Sequence, residues 1–232
     1  KEWIIGGDSS GALLWRIMWA IRRNTGRYAM PRYKEAERAQ MRDEARRRLL
    51  AAAVDEFARE GYERANINRI SQAAGFAQGT VYNYYPSKRG LFEAVVSDIA
   101  RRHCDLVLQA AASAAQPAQR LERFLAAGFA FVQGYPAAAG IVIPALYGTD
   151  SVARDLVRRA YAPLYHYVEQ EIVQAAVLDG QFRLVDTGVA TALILAVYLG
   201  GCSPNEESAP LRANARTLAG LVLEGLRGDQ SR

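Results

Sequence analysis

From Glu35 onward the apolar side chains recur at helical spacing, and no stretch alternates apolar and polar residues between turn dipeptides as a strand does. A chain patterned in this way buries its core by packing helix against helix, which predicts an all-α fold. Half of the 232 residues are hydrophobic and 23% are charged, a soluble globular composition. The length suits one large domain or two small ones. No repeat shows at a fixed period.

Glycine, proline and capping residues place the boundaries. Residues 42–60 form the first strong helix, with Leu49, Leu50, Ala53, Val54, Phe57 and Ala58 on one face and Gly61 as its stop. Asn66 caps a short helix carrying Ile67, Ile70, Ala73 and Ala74, which Gly75 ends. A third short helix runs from about Gln78 to Tyr84 and meets Pro86. Ser87 caps a fourth, which opens on Lys88 and carries Leu91, Phe92, Val95, Val96 and Ile99. Residues 118–134 follow, then 137–147 broken by Pro144, then 150–179 kinked at Pro163. Asp186 caps the apolar stretch 188–200. The last helix spans 207–227, with Gly220 and Gly225 inside it.

Residues 1–102 carry 19 lysines and arginines against 12 acidic residues, while 103–232 carry 10 against 12. The positive charge therefore sits in the first half. That points to nucleic acid or an anionic membrane surface, or to uneven surface charge alone. Cys104 and Cys202 are the only cysteines, and His103 and His166 the only histidines. No disulfide framework, Cys-x-x-Cys pair or histidine metal cage can be built from them. Neither a metal nor a cofactor is expected.

The first 29 residues hold all three tryptophans, and an apolar run from Gly11 to Ile21 carries Arg16 in its middle. The run is about half of the roughly 20 residues that a membrane span needs. Its charges Arg22, Arg23 and Arg27 follow it, where a secretory signal places them first. Met30 reads as a natural start, which makes residues 1–29 upstream sequence. Residues 1–41 are expected to form a poorly ordered amino-terminal arm. No membrane span is expected.

The function lies in the second and third helices. Two short helices joined by Gly75-Phe76-Ala77 read as a helix-turn-helix. The second carries Gln78, Thr80, Tyr82, Asn83 and Tyr84, with Val81 as its one strong apolar anchor. So polar a helix suits a major groove about 12 Å wide better than a core. Asn and Gln side chains pair with adenine edges, and Tyr and Thr hydroxyls reach phosphate oxygens. Gly79 removes side-chain bulk where a backbone approaches DNA.

Residues Ile70 to Leu91, IleSerGlnAlaAlaGlyPheAlaGlnGlyThrValTyrAsnTyrTyrProSerLysArgGlyLeu, resemble the DNA-binding signature of the TetR family of bacterial transcriptional regulators. Residues 53–62 resemble that family's first helix, and the likeness covers about 44–104. It implies a homodimer with a helix-turn-helix DNA-binding domain at 42–104 and a larger helical ligand-binding and dimerisation domain at 105–232. By position, Gln78, Gly79, Thr80, Tyr82, Asn83 and Tyr84 fall on the recognition helix. Lys88 falls on the lysine that contacts phosphate, at a helix amino terminus suited to one. Asn66 and Arg69 complete the expected DNA-binding set. The chain departs from the pattern at three positions. Ala77 replaces a capping Ser or Thr, Arg69 replaces the acid of a capping box, and Tyr85 replaces a Phe.

The resemblance further implies a cytoplasmic regulator, most often a repressor, released from a palindromic operator by a small-molecule inducer. Its dimer would use helices 188–200 and 207–227. Among the aromatic residues, Phe124, Phe131, Tyr147, Tyr161, Tyr165 and His166 are the candidate ligand-binding set, with the Pro163 kink as one wall; core packing is the plainer role for any single one. Arg46, Arg47 and Arg48 are either a solvated face or phosphate contacts. The rival classes are a helical enzyme and a membrane-surface protein. Against the enzyme, the chain has no nucleophile elbow, Walker loop, dinucleotide fingerprint or His-Glu-x-x-His.

Overall fold

The computed structural model describes residues 35–183, 186–203 and 205–227. The tryptophan-containing run and Met30 lie outside the described residues. Glu35–Glu44 belong to a first unit that ends at Glu44, and Ala45–Arg232 form the second. Residues 35–44 are the opening turns of a helix, so helical structure starts at Glu35 and not at 42.

The helices are α1 (Glu35–Arg64), α2 (Ile67–Ala73), α3 (Lys88–Ala112), α4 (Pro117–Gly134), α5 (Pro136–Tyr147), α6 (Ser151–Ala160), α7 (Ala162–Tyr167), α8 (Ala175–Leu178), α9 (Thr187–Cys202), α10 (Ala209–Ala213) and α11 (Ala215–Leu226). A 3₁₀ turn, Thr80–Asn83, lies between α2 and α3, and a π-helical stretch, Val168–Gln174, joins α7 to α8. Among the described residues the only β pairing is one bridge between Phe182 and Arg227.

Four boundaries differ from the sequence expectation, each for a local reason. Gly61 does interrupt α1, at φ 73°, but helical turns resume to Arg64. Pro144 sits inside α5 without breaking it. The 150–179 segment parts at Tyr161 (φ −98°, ψ 5°), two residues ahead of Pro163. Proline has no N–H to donate to the carbonyl four residues back, and its ring crowds that carbonyl, so the helix ends before it and restarts with Pro163 in a first turn. The 207–227 segment divides at Asn214 into α10 and α11.

Two hydrophobic clusters form the core of the second unit. One gathers Leu49, Phe57, Ile70, Val81, Leu91 and Phe92 with Ile141, Val142, Leu156 and Val157, so α5 and α6 pack onto the helix-turn-helix. The other gathers Val107, Leu121, Phe124, Phe129, Ile172, Ile194, Tyr198 and Val222. Helix α3 belongs to both and is the rod between them. No single described helix is long and apolar enough to cross a membrane. The pair α4 and α5 would be so only jointly, and it is bent by 108°.

Candidate nucleic-acid interface and ligand cavity

The helix-turn-helix is fixed by one buried carboxylate. Glu56 is buried on α1, and its Oε1 accepts the Asn66 backbone N–H at 3.0 Å. Asn66 in turn caps α2, its side chain accepting the Asn68 N–H at 2.9 Å. In a capping box an acid at the third helical position accepts the cap residue's own N–H. Arg69 holds that position here, and Glu56 makes the bond from ten residues upstream. Arg69 then turns back to Glu60 at 3.5 Å and Glu56 at 3.9 Å. Its guanidinium therefore neutralises this buried acid, alongside Arg59.

The turn after α2 is a Schellman motif: the Gly75 N–H donates to Gln72 O and the Phe76 N–H to Ser71 O, with Gly75 at φ 77°. A Cβ on Gly75 would strike the Arg48 guanidinium, which lies over the Phe76 ring at 5.0 Å. Arg48 therefore braces the turn.

The expected recognition helix is shorter than predicted. Gly79 takes φ 79°, and helical structure begins only at Thr80. The Tyr82 N–H donates to Gly79 O and the Tyr84 N–H to Val81 O, the tight 3₁₀ pattern. Ala77 brings no capping side chain, and a left-handed Gly79 ends the α pattern. Gly79 is thus required by the backbone, since nothing lies within 4 Å of its Cβ position.

Val81 is fully buried and pins the segment to the core. Gln78, Tyr82 (53% exposed) and Asn83 face outward, and Thr80 is half-buried. Tyr84 is half-buried and packs against the first cluster. Lys88 donates to Glu63 O at 2.7 Å and lies 5.2 Å from the Tyr62 ring centroid, which leaves two of its three N–H donors free. Beside it Ser87 caps α3, accepting the Gly90 N–H at 3.0 Å.

The second region is a cavity of about 490 Å³ between α3, α4, α5, α6, α7 and α9. Of the six predicted ligand residues it brings together Phe131, Tyr161, Tyr165 and His166. Phe124 does not line it. Fully buried, it supports the Tyr198 ring from behind at 4.6 Å between centroids. Tyr147 does not line it either; it ends α5 and is 67% exposed. The reason is register, since composition alone cannot say which face an aromatic side chain takes.

His103 and Tyr198 are among the lining residues that escaped the sequence reading. His103 on α3 bonds Tyr161 Oη through Nδ1 at 3.2 Å and Tyr198 Oη through Nε2 at 2.6 Å, and stacks on Phe131 at 4.4 Å. Burial pushes its pKa down to about 4, so the ring is neutral. A neutral imidazole donates from one nitrogen and accepts at the other, so one tyrosine donates to the ring and the other accepts from it. Burial also raises the Tyr161 and Tyr198 hydroxyls, and lifts the Cys202 thiol to about 12. None of these groups ionises near neutrality. Gly128 makes the site possible, because a Cβ there would collide with the Tyr198 hydroxyl. No periodicity argument exposes such a triad, since its members are 58 and 95 residues apart.

Residues 49–95 match the sequence model described as bacterial regulatory proteins, tetR family. Among curated proteins, the HTH-type transcriptional regulator YdgC of Bacillus subtilis is 39% identical over 59 residues, 25% of this chain and 30% of that protein. The HTH-type transcriptional activator FasR of Mycolicibacterium smegmatis is 34% identical over 102 residues, 40% of this chain and 45% of that protein. The chain thus spans less than half the length of either relative. Among solved structures, the transcriptional regulator FadR from Bacillus subtilis, in complex with stearoyl-CoA, superposes with a TM-score of 0.69 at 17% identity, covering 78% of this chain and 99% of that one. At that identity the likeness is one of fold.

Proposed function

We propose that this chain, a member of the TetR family of bacterial regulators by its residues 49–95, is a sequence-specific DNA-binding transcriptional regulator whose operator affinity is set by a small molecule. The observation that carries the reading is the turn at 78–84. Buried Val81 anchors it, and Gln78, Tyr82 and Asn83 stand outward next to a lysine with donors to spare. We assign 42–104 to DNA binding and 105–232 to ligand binding and dimerisation, with α3 running across the boundary. Gln78, Tyr82 and Asn83 reach bases. Thr80, Tyr84 and Lys88 reach phosphates, with the Gly79 backbone beside them. Asn66 and Arg69 act by holding the motif's geometry.

The dimer forms through α9 and α11, where Val189, Leu193 and Leu221 are exposed, an apolar surface of the kind that partners cover. Two copies then read half-sites about 34–36 Å apart. Ligand entering the cavity moves His103 on α3, the same helix that begins at Lys88. Coupling of this kind is on the order of 1–3 kcal/mol. Repression is the expected sign, in the cytoplasm and without enzymatic activity. FasR is named as an activator, and the sign depends on where the operator lies.

The test begins with selection of bound duplexes from a random library. Fluorescence anisotropy on the selected and a scrambled duplex, across a salt series, then follows. The expected result is a preference of about a thousandfold or more, lost in the Tyr82→Ala, Lys88→Ala double variant. Equal, steeply salt-dependent binding to both duplexes would overturn sequence specificity, and no binding at low salt would overturn DNA binding itself.

A further inference from the structure

The cavity has two sides of different chemistry. On its buried side both nitrogens of the His103 ring are taken by the Tyr161 and Tyr198 hydroxyls. The neutral ring offers an anion no charge to pair with. The walls between are aliphatic and aromatic, among them Phe131, Ile143 and Leu195. On the solvent side stand Arg158, Tyr165 and His166, all exposed. Among the described residues Arg158 is the only lining residue of fixed charge, and no Asp or Glu lines the cavity. Among the described residues Arg158 makes no ion pair, although Arg101, Arg102, Arg120 and Arg216 all do.

We propose that this cavity takes an anionic amphiphile, with an uncharged apolar body lying against Tyr161 and Tyr198 and one oxyanion, carboxylate or phosphate, held at the solvent side by Arg158. This rests on the reading of the cavity as a ligand site and adds the class of ligand. An arginine fork matches a carboxylate or phosphate with two parallel hydrogen bonds. A cation would find aromatic faces to attract it, but it would also meet Arg158 with no acid to offset the repulsion. A neutral alcohol of the same length would bury the same apolar surface and leave Arg158 unpaired.

The class is tested by calorimetry on the full chain with four twelve-carbon probes below their micelle concentrations: dodecanoate, dodecyl phosphate, dodecanol and dodecyltrimethylammonium. At least one oxyanion is expected to bind about tenfold tighter than dodecanol, and the ammonium probe weakest. Comparison of the carboxylate and phosphate arms identifies the head group. Arg158→Gln should remove the preference while leaving dodecanol binding as it was. Arg159→Gln, an exposed neighbour that does not line the cavity, should keep the preference. Ile143→Trp, which fills the cavity, should weaken all four probes.

Dodecanol or the ammonium binding as tightly as both oxyanions overturns the proposal. So does a preference that survives Arg158→Gln, and so does failure of all four probes to bind. Release of DNA is read separately by anisotropy. Oxyanion binding without release leaves the ligand class standing and overturns the regulatory reading instead.

Discussion

Glu56 shows how much one side chain decides. It is charged, buried, and bonded to the cap of a helix that begins eleven residues later. Replacing it with alanine leaves the Asn66 N–H without its acceptor and leaves Arg59 and Arg69 to share Glu60 alone. The expected cost is roughly 2–4 kcal/mol, read as a lower midpoint in urea, with Glu56→Gln recovering part of it. A variant as stable as the parent would show that the carboxylate does not organise the motif. His103 gives a second, pH-dependent test. Its folded pKa lies near 4, against 6.5 when unperturbed, so the unfolded chain takes up this proton first as pH falls. The stability owed to the neutral ring is therefore complete above about pH 6.5 and is lost toward pH 4, about 3 kcal/mol in all. Urea midpoints should fall over that window more steeply for the parent than for His103→Leu, since other titrating groups are common to both. Parallel profiles would refute the assignment.

Among the elements, the recognition turn is the most exposed to small changes. Four residues of 3₁₀ helix hold few backbone bonds, and Gly79 sets where they point. A Cβ at that position meets no neighbour but is strained at φ 79°. Gly79→Ala should therefore cost only about 1 kcal/mol of stability while lowering DNA affinity far more, because the turn re-aims Tyr82 and Asn83. Thermal melting and anisotropy on the same variant check this, and equal losses in both would contradict it. Gly128→Ala offers a contrast within α4. Its Cβ would meet the Tyr198 hydroxyl, so overpacking should cost on the order of 1–3 kcal/mol and disturb the cavity with little direct effect at the turn.

For the molecule as a whole, the helix-turn-helix and the cavity share α3, and α5 and α6 pack against the first cluster while also lining the cavity. A displacement on the cavity side therefore meets a core that is close-packed and not freely compressible. Dimerisation is the other requirement. The double variant Val189→Glu, Leu193→Glu puts charges on the exposed face of α9 (68% and 49% exposed in the single chain). It should sediment as a monomer with an intact fold by circular dichroism and bind the selected duplex at least tenfold more weakly, since one half-site no longer helps hold the other. A variant that remains dimeric would move the interface elsewhere.

Local sequence dictated the helical class, the caps at Asn66, Ser87 and Asp186, the stop at Gly75, and the helix-turn-helix with its outward polar residues. Those features depend on neighbours within a turn or two, where periodicity and φ preferences act directly. Tertiary packing decided that Glu56 takes the place of a capping-box acid. It also placed Phe124 behind the cavity and Tyr147 outside it, and joined His103 to Tyr161 and Tyr198. Each of those outcomes depends on which helix face meets which partner across tens of residues. Burial, and the exclusion of water from polar groups that must then find one another, settles such meetings only once the chain has folded.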